Sequence, residues 1–222
     1  PDGMNYAALS AAIQAYTENT EADFVANIPV FVTQAEQRIF NSIQFPSLRQ
    51  NVTGATTTNN KYLQCPTDFL AVYSLAIINA SGEYEYLLNK DVNFIRQAYP
   101  QPTDTGIPRY YALFGPRSDN AAELTFILGP TPDAAYGAEL HYFFYPPSIT
   151  VSPYTSWLGD NFDSVLLYGS LVEAYTYMKG EQDMMALYNG KYQEALALAK
   201  RLGDGMERQD AYRSGQYRQA VT

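Results

Sequence analysis

The residues able to do chemistry are few. The chain holds one histidine, His141, and one cysteine, Cys65. One histidine excludes any site that needs two, and one cysteine permits neither an internal disulfide nor a cysteine-ligated metal cluster. His141 alternates with apolar residues in 138–145 (AELHYFFY), which is the pattern of a half-exposed strand position rather than of a general base. Cys65 precedes Pro66 and has no His or cationic residue beside it, so it reads as an inert thiol. Two carboxylate pairs remain: Glu83 with Glu85 on one strand face, and Asp160 with Asp163 at one helix end. Paired acids can run glycoside hydrolysis. With 23 acidic residues in the chain such pairs arise by chance, and Asp160 reads more simply as a helix cap. No phosphate loop, dinucleotide fingerprint, metalloprotease helix or nucleophile elbow occurs, and Gly115-Pro116-Arg117 is a turn. The inventory therefore predicts a protein without a catalytic site, cofactor or metal.

The elements around these residues fall into three blocks. Tyr6, Leu9, Ile13 and Tyr16 form a helical stripe, and Thr20 with Asp23 marks a possible short helix. Ile28-Pro29 is expected to restart the chain, with Pro29 in the first turn of a helix through residue 44 that puts Val32, Ala35, Ile39 and Ile43 on one face. The pattern then turns to short runs rich in Tyr, Phe, Val and Ile at 69–79, 83–88, 109–114, 122–128 and 138–145, read as strands. Residues 51–60 suit an exposed edge strand or loop, Ser81-Gly82 a hairpin turn, and 91–99 a short helix started by Asp91. Helix returns at Trp157. Residues 161–178 are apolar on most sides, as in a helix buried among neighbours or between subunits. Residues 182–202 carry Met184, Tyr188, Tyr192, Ala195, Ala199 and Leu202 on one stripe, and Gly203 and Gly205 are expected to end that helix.

The fold class expected is α+β: a bundle of about four helices from both chain ends, an inserted antiparallel β-domain, and an extended C-terminal arm. The boundaries read are 1–47 for the N-terminal helices, 48–156 for the β-rich insertion, 157–203 for a helical hairpin and 204–222 for the arm.

Composition narrows the partners. The net charge is −9, which disfavours a protein that grips nucleic acid through phosphates. Neither a signal peptide nor a run of about 20 apolar residues is found, so a soluble protein of a reducing compartment, or of a particle assembled there, is expected and no membrane partner. Without a secretory signal the sequons at Asn51 and Asn79 carry no meaning. Tyrosine is the unusual residue, at 20 copies. Its large ring and polar tip suit both β-cores and protein interfaces. Phe162, Leu166, Tyr168, Tyr175 and Tyr177 of the third long helix are candidate subunit-interface residues. The arm holds Arg208, Tyr212, Arg213, Tyr217 and Arg218, and Tyr with Arg is the usual pairing of interface anchors. Residues 200–222 carry a net +2, which leaves −11 on the rest.

Four segments in this order, 28–39 (IPVFVTQAEQRI), 62–75 (YLQCPTDFLAVYSL), 106–113 (GIPRYYAL) and 157–178 (WLGDNFDSVLLYGSLVEAYTYM), resemble the head-to-tail adaptor proteins of tailed bacteriophages, the family that includes tail tubular protein A. The Ile-Pro and Ala-Glu-x-Arg-Ile of 28–39 and the Leu-Tyr-Gly-x-Leu-x-Glu-Ala of 167–174 carry the match most closely. The resemblance implies a homo-oligomeric ring, a dodecamer in the usual case, in the virion neck between portal and tail and assembled in the host cytoplasm. It implies that double-stranded DNA passes through without specific binding, that a tail or nozzle protein docks on the ring, and that the C-terminal arm docks into the portal. The alternatives are another neck or tail structural protein, such as a nozzle or tail-completion protein, or a carbohydrate-binding or carbohydrate-active β-domain.

Overall fold

In a computed structural model the chain is described at residues 3–43, 45–117 and 120–213, with side chains described among these except at 46, 117, 120–122 and 207–213. The protein is mixed α+β. Its helices are α1 (Tyr6–Thr17), α2 (Ala22–Ser42), α3 (Val92–Ala98), α4 (Trp157–Asn161), α5 (Asp163–Met178) and α6 (Gln182–Arg213). Two compact units form. One takes the chain up to Leu48 and again from Tyr145, and the other takes Arg49–Phe144.

In the first unit, Asn5 starts α1 by accepting the Ala8 N–H at 2.9 Å, and the helix buries Leu9 and Ile13. Next comes one helix where a restart at Ile28-Pro29 was expected. α2 begins at Ala22, with Asp23 in its first turn, and Pro29 lies inside it. Its buried face, Phe24, Ile28, Phe31, Val32, Ala35 and Ile39, keeps helical spacing straight through the proline. Packing of that stripe outweighs the one backbone hydrogen bond that Pro29 cannot make. Ser156 caps α4 by accepting the Gly159 N–H at 3.0 Å. Asp160 is therefore no cap; it sits in the first turn, where a negative charge suits the helix dipole. The helical run breaks at Phe162, and α5 then buries Val165, Leu166, Leu167, Leu171 and Ala174 against α1, α2 and α6. Its apolar circumference is thus covered largely within its own chain.

α6 runs 32 residues, about 48 Å at 1.5 Å per residue. Neither Gly203 nor Gly205 ends it. Each glycine costs about 1 kcal/mol in a helix, but the residues that follow (MERQDAYR) are mostly good helix formers without proline. The segment 204–213, expected as extended arm, is helical, and 214–222 lies outside the described residues. Residues 145–156, expected in the β-rich insertion, belong with the helices. The buried carboxylate of Glu36 on α2 accepts the Ile149 N–H at 2.9 Å, and Ile149 is fully buried.

The second unit holds β1 (Arg49–Ala55), β2 (Tyr62–Gln64), β3 (Ala71–Ile78), β4 (Tyr84–Tyr86), β5 (Leu88–Asn89), β6 (Thr105–Gly106), β7 (Tyr110–Arg117), β8 (Asn120–Gly129), β9 (Thr131–Pro132) and β10 (Gly137–Phe143). Two four-stranded sheets form, in the orders β1-β10-β3-β4 and β2-β8-β7-β5, and β6 pairs with β9. The pairing is antiparallel except for the short pairs β5–β7 and β6–β9, which are parallel. A parallel pair needs a crossover rather than a hairpin, and the segment carrying α3 supplies it between β5 and β7. The expected turn joins β3 to β4, with Gly82 at φ 82° and its N–H on the Asn79 carbonyl at 3.0 Å. Leu75, Ile77, Leu140 and Tyr142 from the first sheet pack with Tyr111, Phe126 and Leu128 from the second. Asp91 caps α3, which covers the other face of the second sheet through Ile95, Ala112 and Ile127.

Candidate functional site

The groups that suggested chemistry are occupied with structure. His141 sits half-buried on β10, its ring 4.8 Å from that of Tyr73. Burial, and secondarily the nearby Arg49, lowers its pKa, so the ring is neutral at pH 7. The Cys65 thiol is buried and burial pushes its pKa up to about 12, far from a reactive thiolate. Glu83 and Glu85 do converge, but on the amide of Asn79, which donates to them at 3.1 and 3.3 Å. They fasten the β3–β4 turn. Asp163 accepts its neighbour Ser164 N–H at 2.7 Å at the start of α5. Among the described residues no three His, Cys, Asp or Glu side chains gather as a metal site.

The expected interface residues do not share one environment. Leu166 is fully buried inside the helical unit, so no second subunit can reach it. Phe162 is half-buried between Phe45 and Trp157, at 5.2 and 5.4 Å between ring centroids. Tyr168 and Tyr175 are half-buried, and both pack on Tyr188 of α6. Tyr177 is nearly half exposed while leaning on Phe24 and Phe31. Arg208, Tyr212 and Arg213 lie in the last turns of α6, and Tyr217 and Arg218 lie outside the described residues.

The structure adds surfaces that the sequence reading passed over. On α6, Leu187, Leu198 and Leu202 are more than half exposed. Their spacings of 11 and 4 place them on one stripe, apart from the buried stripe of Tyr188, Tyr192, Leu196 and Ala199. The periodicity was present in the sequence, but Leu202 was assigned to the other stripe. In the β-unit, register puts Arg49, Glu139, His141, Phe143, Tyr84 and Tyr86 on the outer face of the first sheet. Tyr84 and Tyr86 are 51% and 68% exposed. The Arg49 guanidinium lies 4.7 Å from the Tyr73 ring centroid, and the Tyr73 ring is itself half exposed. A Tyr84 hydroxyl bonded to Glu139 has its pKa raised by that hydrogen bond, so it stays a neutral donor. Exposed aromatic and apolar side chains gathered on one face are a general feature of protein-interaction surfaces.

No curated protein matches the chain. The sequence model of the SU10 adaptor proteins matches residues 4–219, nearly its whole length. The match covers well over half of the chain, which belongs to the SU10 adaptor protein family, a family of phage adaptor proteins.

Proposed function

We propose that the protein is a structural head-to-tail adaptor in the virion neck. Copies close into a ring, dodecameric on the resemblance, that extends the DNA channel between portal and tail. The observation that carries this reading is the family match over residues 4–219. In it, α1, α2, α5 and α6 are a four-helix bundle into which the β-unit is inserted. A closed ring needs two different side faces on each copy. The Leu187, Leu198 and Leu202 stripe supplies one, and Phe162, Tyr168, Tyr175 and Tyr177 with their surroundings supply the other. The end of α6 and the residues after it, with Arg208, Tyr212, Arg213, Tyr217 and Arg218, dock into the portal. The β-unit receives a tail or nozzle protein. A net charge of −9 lets DNA slide past without being held. No described helix is long and apolar enough to cross a membrane, and the role needs neither membrane nor catalysis. Assembly takes place in the host cytoplasm.

Negative-stain imaging of the purified protein with its portal tests the reading. The expected result is rings seated on the portal, with attachment lost when residues 204–222 are deleted. A persistent monomer that ignores the portal refutes it.

A further inference from the structure

β1 and β2 each stand at an edge of their sheet, and residues of both line one groove. In the register of β1 against β10, Gln50, Val52 and Gly54 stand opposite Tyr142, Leu140 and Ala138. Those three β10 residues are buried in the core between the sheets, so their β1 partners lie on the core side too. Yet Gln50, Val52 and Gly54 are all exposed, Val52 at 37%. The core is uncovered along β1.

The backbone of β2 is open on the same side. The Leu128 N–H donates to the Lys61 carbonyl, and the Cys65 N–H donates to the Leu124 carbonyl. Alternation along an antiparallel pair then turns the backbone groups of residues 62 and 64 away from β8. The Asn60 side chain takes the Tyr62 N–H at 3.1 Å. The Tyr62 carbonyl and both backbone groups of Gln64 are left directed to the edge.

Beside them runs a groove of about 980 Å³ whose lining includes Gly54, Tyr62, Gln64, Phe114 and Thr125. The Lys61 ammonium lies 5.6 Å from the Tyr62 ring centroid and the Arg96 guanidinium 5.1 Å from that of Phe114. Thr125 is 3% exposed, and among the described residues its buried hydroxyl has no hydrogen-bond partner. A native domain rarely leaves such a group unmet.

We propose that this seam receives an extended segment of a different virion protein, free of basic residues, which adds to β2 as an extra strand. Backbone groups at strand spacing are matched by another peptide backbone, and a saccharide cannot follow that repeat. The segment is free of basic residues because Lys61 and Arg96 stand against two rings of the groove and would repel a further cation. Its alternate side chains are apolar, because those facing inward cover the exposed core side of β1. The inference rests on the adaptor reading, since an adaptor meets unlike proteins at its two ends.

The test uses assembled particles. A photo-crosslinking residue at position 52 is expected to join a segment of another virion protein, and amide exchange at Gln64 to slow at least about 100-fold against the free protein. Gln64→Pro removes the outward N–H together with the Gln64 side chain but no ladder hydrogen bond, so the free chain keeps its fold while the crosslink falls about tenfold. Thr125→Val deletes the lone hydroxyl and weakens capture without destabilising the free protein. Particles that contain the protein but show a crosslink to another copy or to a glycan, or unchanged exchange at Gln64, overturn the seam alone. Particles that lack the protein overturn the adaptor reading beneath it.

Discussion

The buried stripe of α6 and the outer face of the first sheet use tyrosine in opposite ways. In the helical unit Tyr188 and Tyr192 are buried at 7% and 1% exposure, and further rings pack around Tyr188. In the β-unit Tyr73, Tyr84 and Tyr86 are exposed by half or more. The difference follows from geometry. α5 has α1, α2 and α6 of its own chain around it, so the rings between α5 and α6 find cover at home. A sheet sends alternate residues to opposite faces, and only the second sheet has a helix of its unit, α3, on its outer face. The first sheet's outward aromatics have no such cover. Composition alone leaves core and interface open as explanations for the tyrosines; buried and exposed rings both occur, and each unit holds some of each, with Tyr111 and Tyr142 buried in the β-core and Tyr177 nearly half exposed on α5.

The largest expected effect breaks each core separately. Leu166→Ala should cost about 2–5 kcal/mol and Phe126→Ala about 3–5 kcal/mol. The sole tryptophan, Trp157, packs against Phe45 and Phe162 and so reports on the helical unit. In urea, Leu166→Ala should shift the Trp157 fluorescence midpoint, while Phe126→Ala should act mainly on amide exchange in β7 and β8. Equal shifts of the Trp157 transition in both variants would mean one cooperative core, and the contrast would fail.

How far the sequence disclosed this depended on the range of the signal. Local signals held: Asp91 caps α3, Ser81-Gly82 turns the hairpin, and the alternation expected over 138–145 is met in β10, which ends at Phe143, with 138, 140 and 142 inward. Signals that tertiary packing can overrule did not. Pro29 was read as a start, yet it sits within α2 because the buried stripe runs through it. Gly203 and Gly205 were read as stops, yet they are carried within α6. The parallel pairing of β5 with β7 leaves no local trace, because it depends on where a crossover brings two short strands. At the surfaces, Leu166 was misplaced because a helix apolar on most sides does not reveal which side its own bundle covers. The β2 seam was missed because its open groups belong to the backbone.

A smaller effect sharpens the helical side of the contrast. Glu36 is 2% exposed, and burial raises its pKa, with the hydrogen bonds from Ile149 and Ser148 opposing. A carboxyl whose pKa is higher folded than unfolded contributes stability that is complete below the unfolded value, about 4.3, and is lost as pH rises through the folded one. Glu36→Gln keeps an oxygen acceptor for the Ile149 N–H and does not titrate. Its stability relative to the parent protein should therefore grow from pH 4 towards neutrality, as read by urea midpoints at several pH values. A difference that stays flat with pH would show that Glu36 titrates as in the unfolded chain.

The smallest effect on stability is the most telling for the β side. Tyr86 is 68% exposed at the edge of the first sheet. Tyr86→Thr keeps a good strand former, so the unfolding midpoint should move by no more than about 0.5 kcal/mol. If the outer face is an assembly surface, the same substitution should still weaken attachment of the tail partner in pull-down from purified components. Tyr192→Thr, at a position 1% exposed, should do the reverse: it should destabilise the free chain strongly through the cavity it opens. A Tyr86 variant that lost stability like Tyr192 and kept full attachment would place that ring among residues that hold the fold. The outer face would then be ordinary surface, and the different burial of the tyrosines would reflect packing alone.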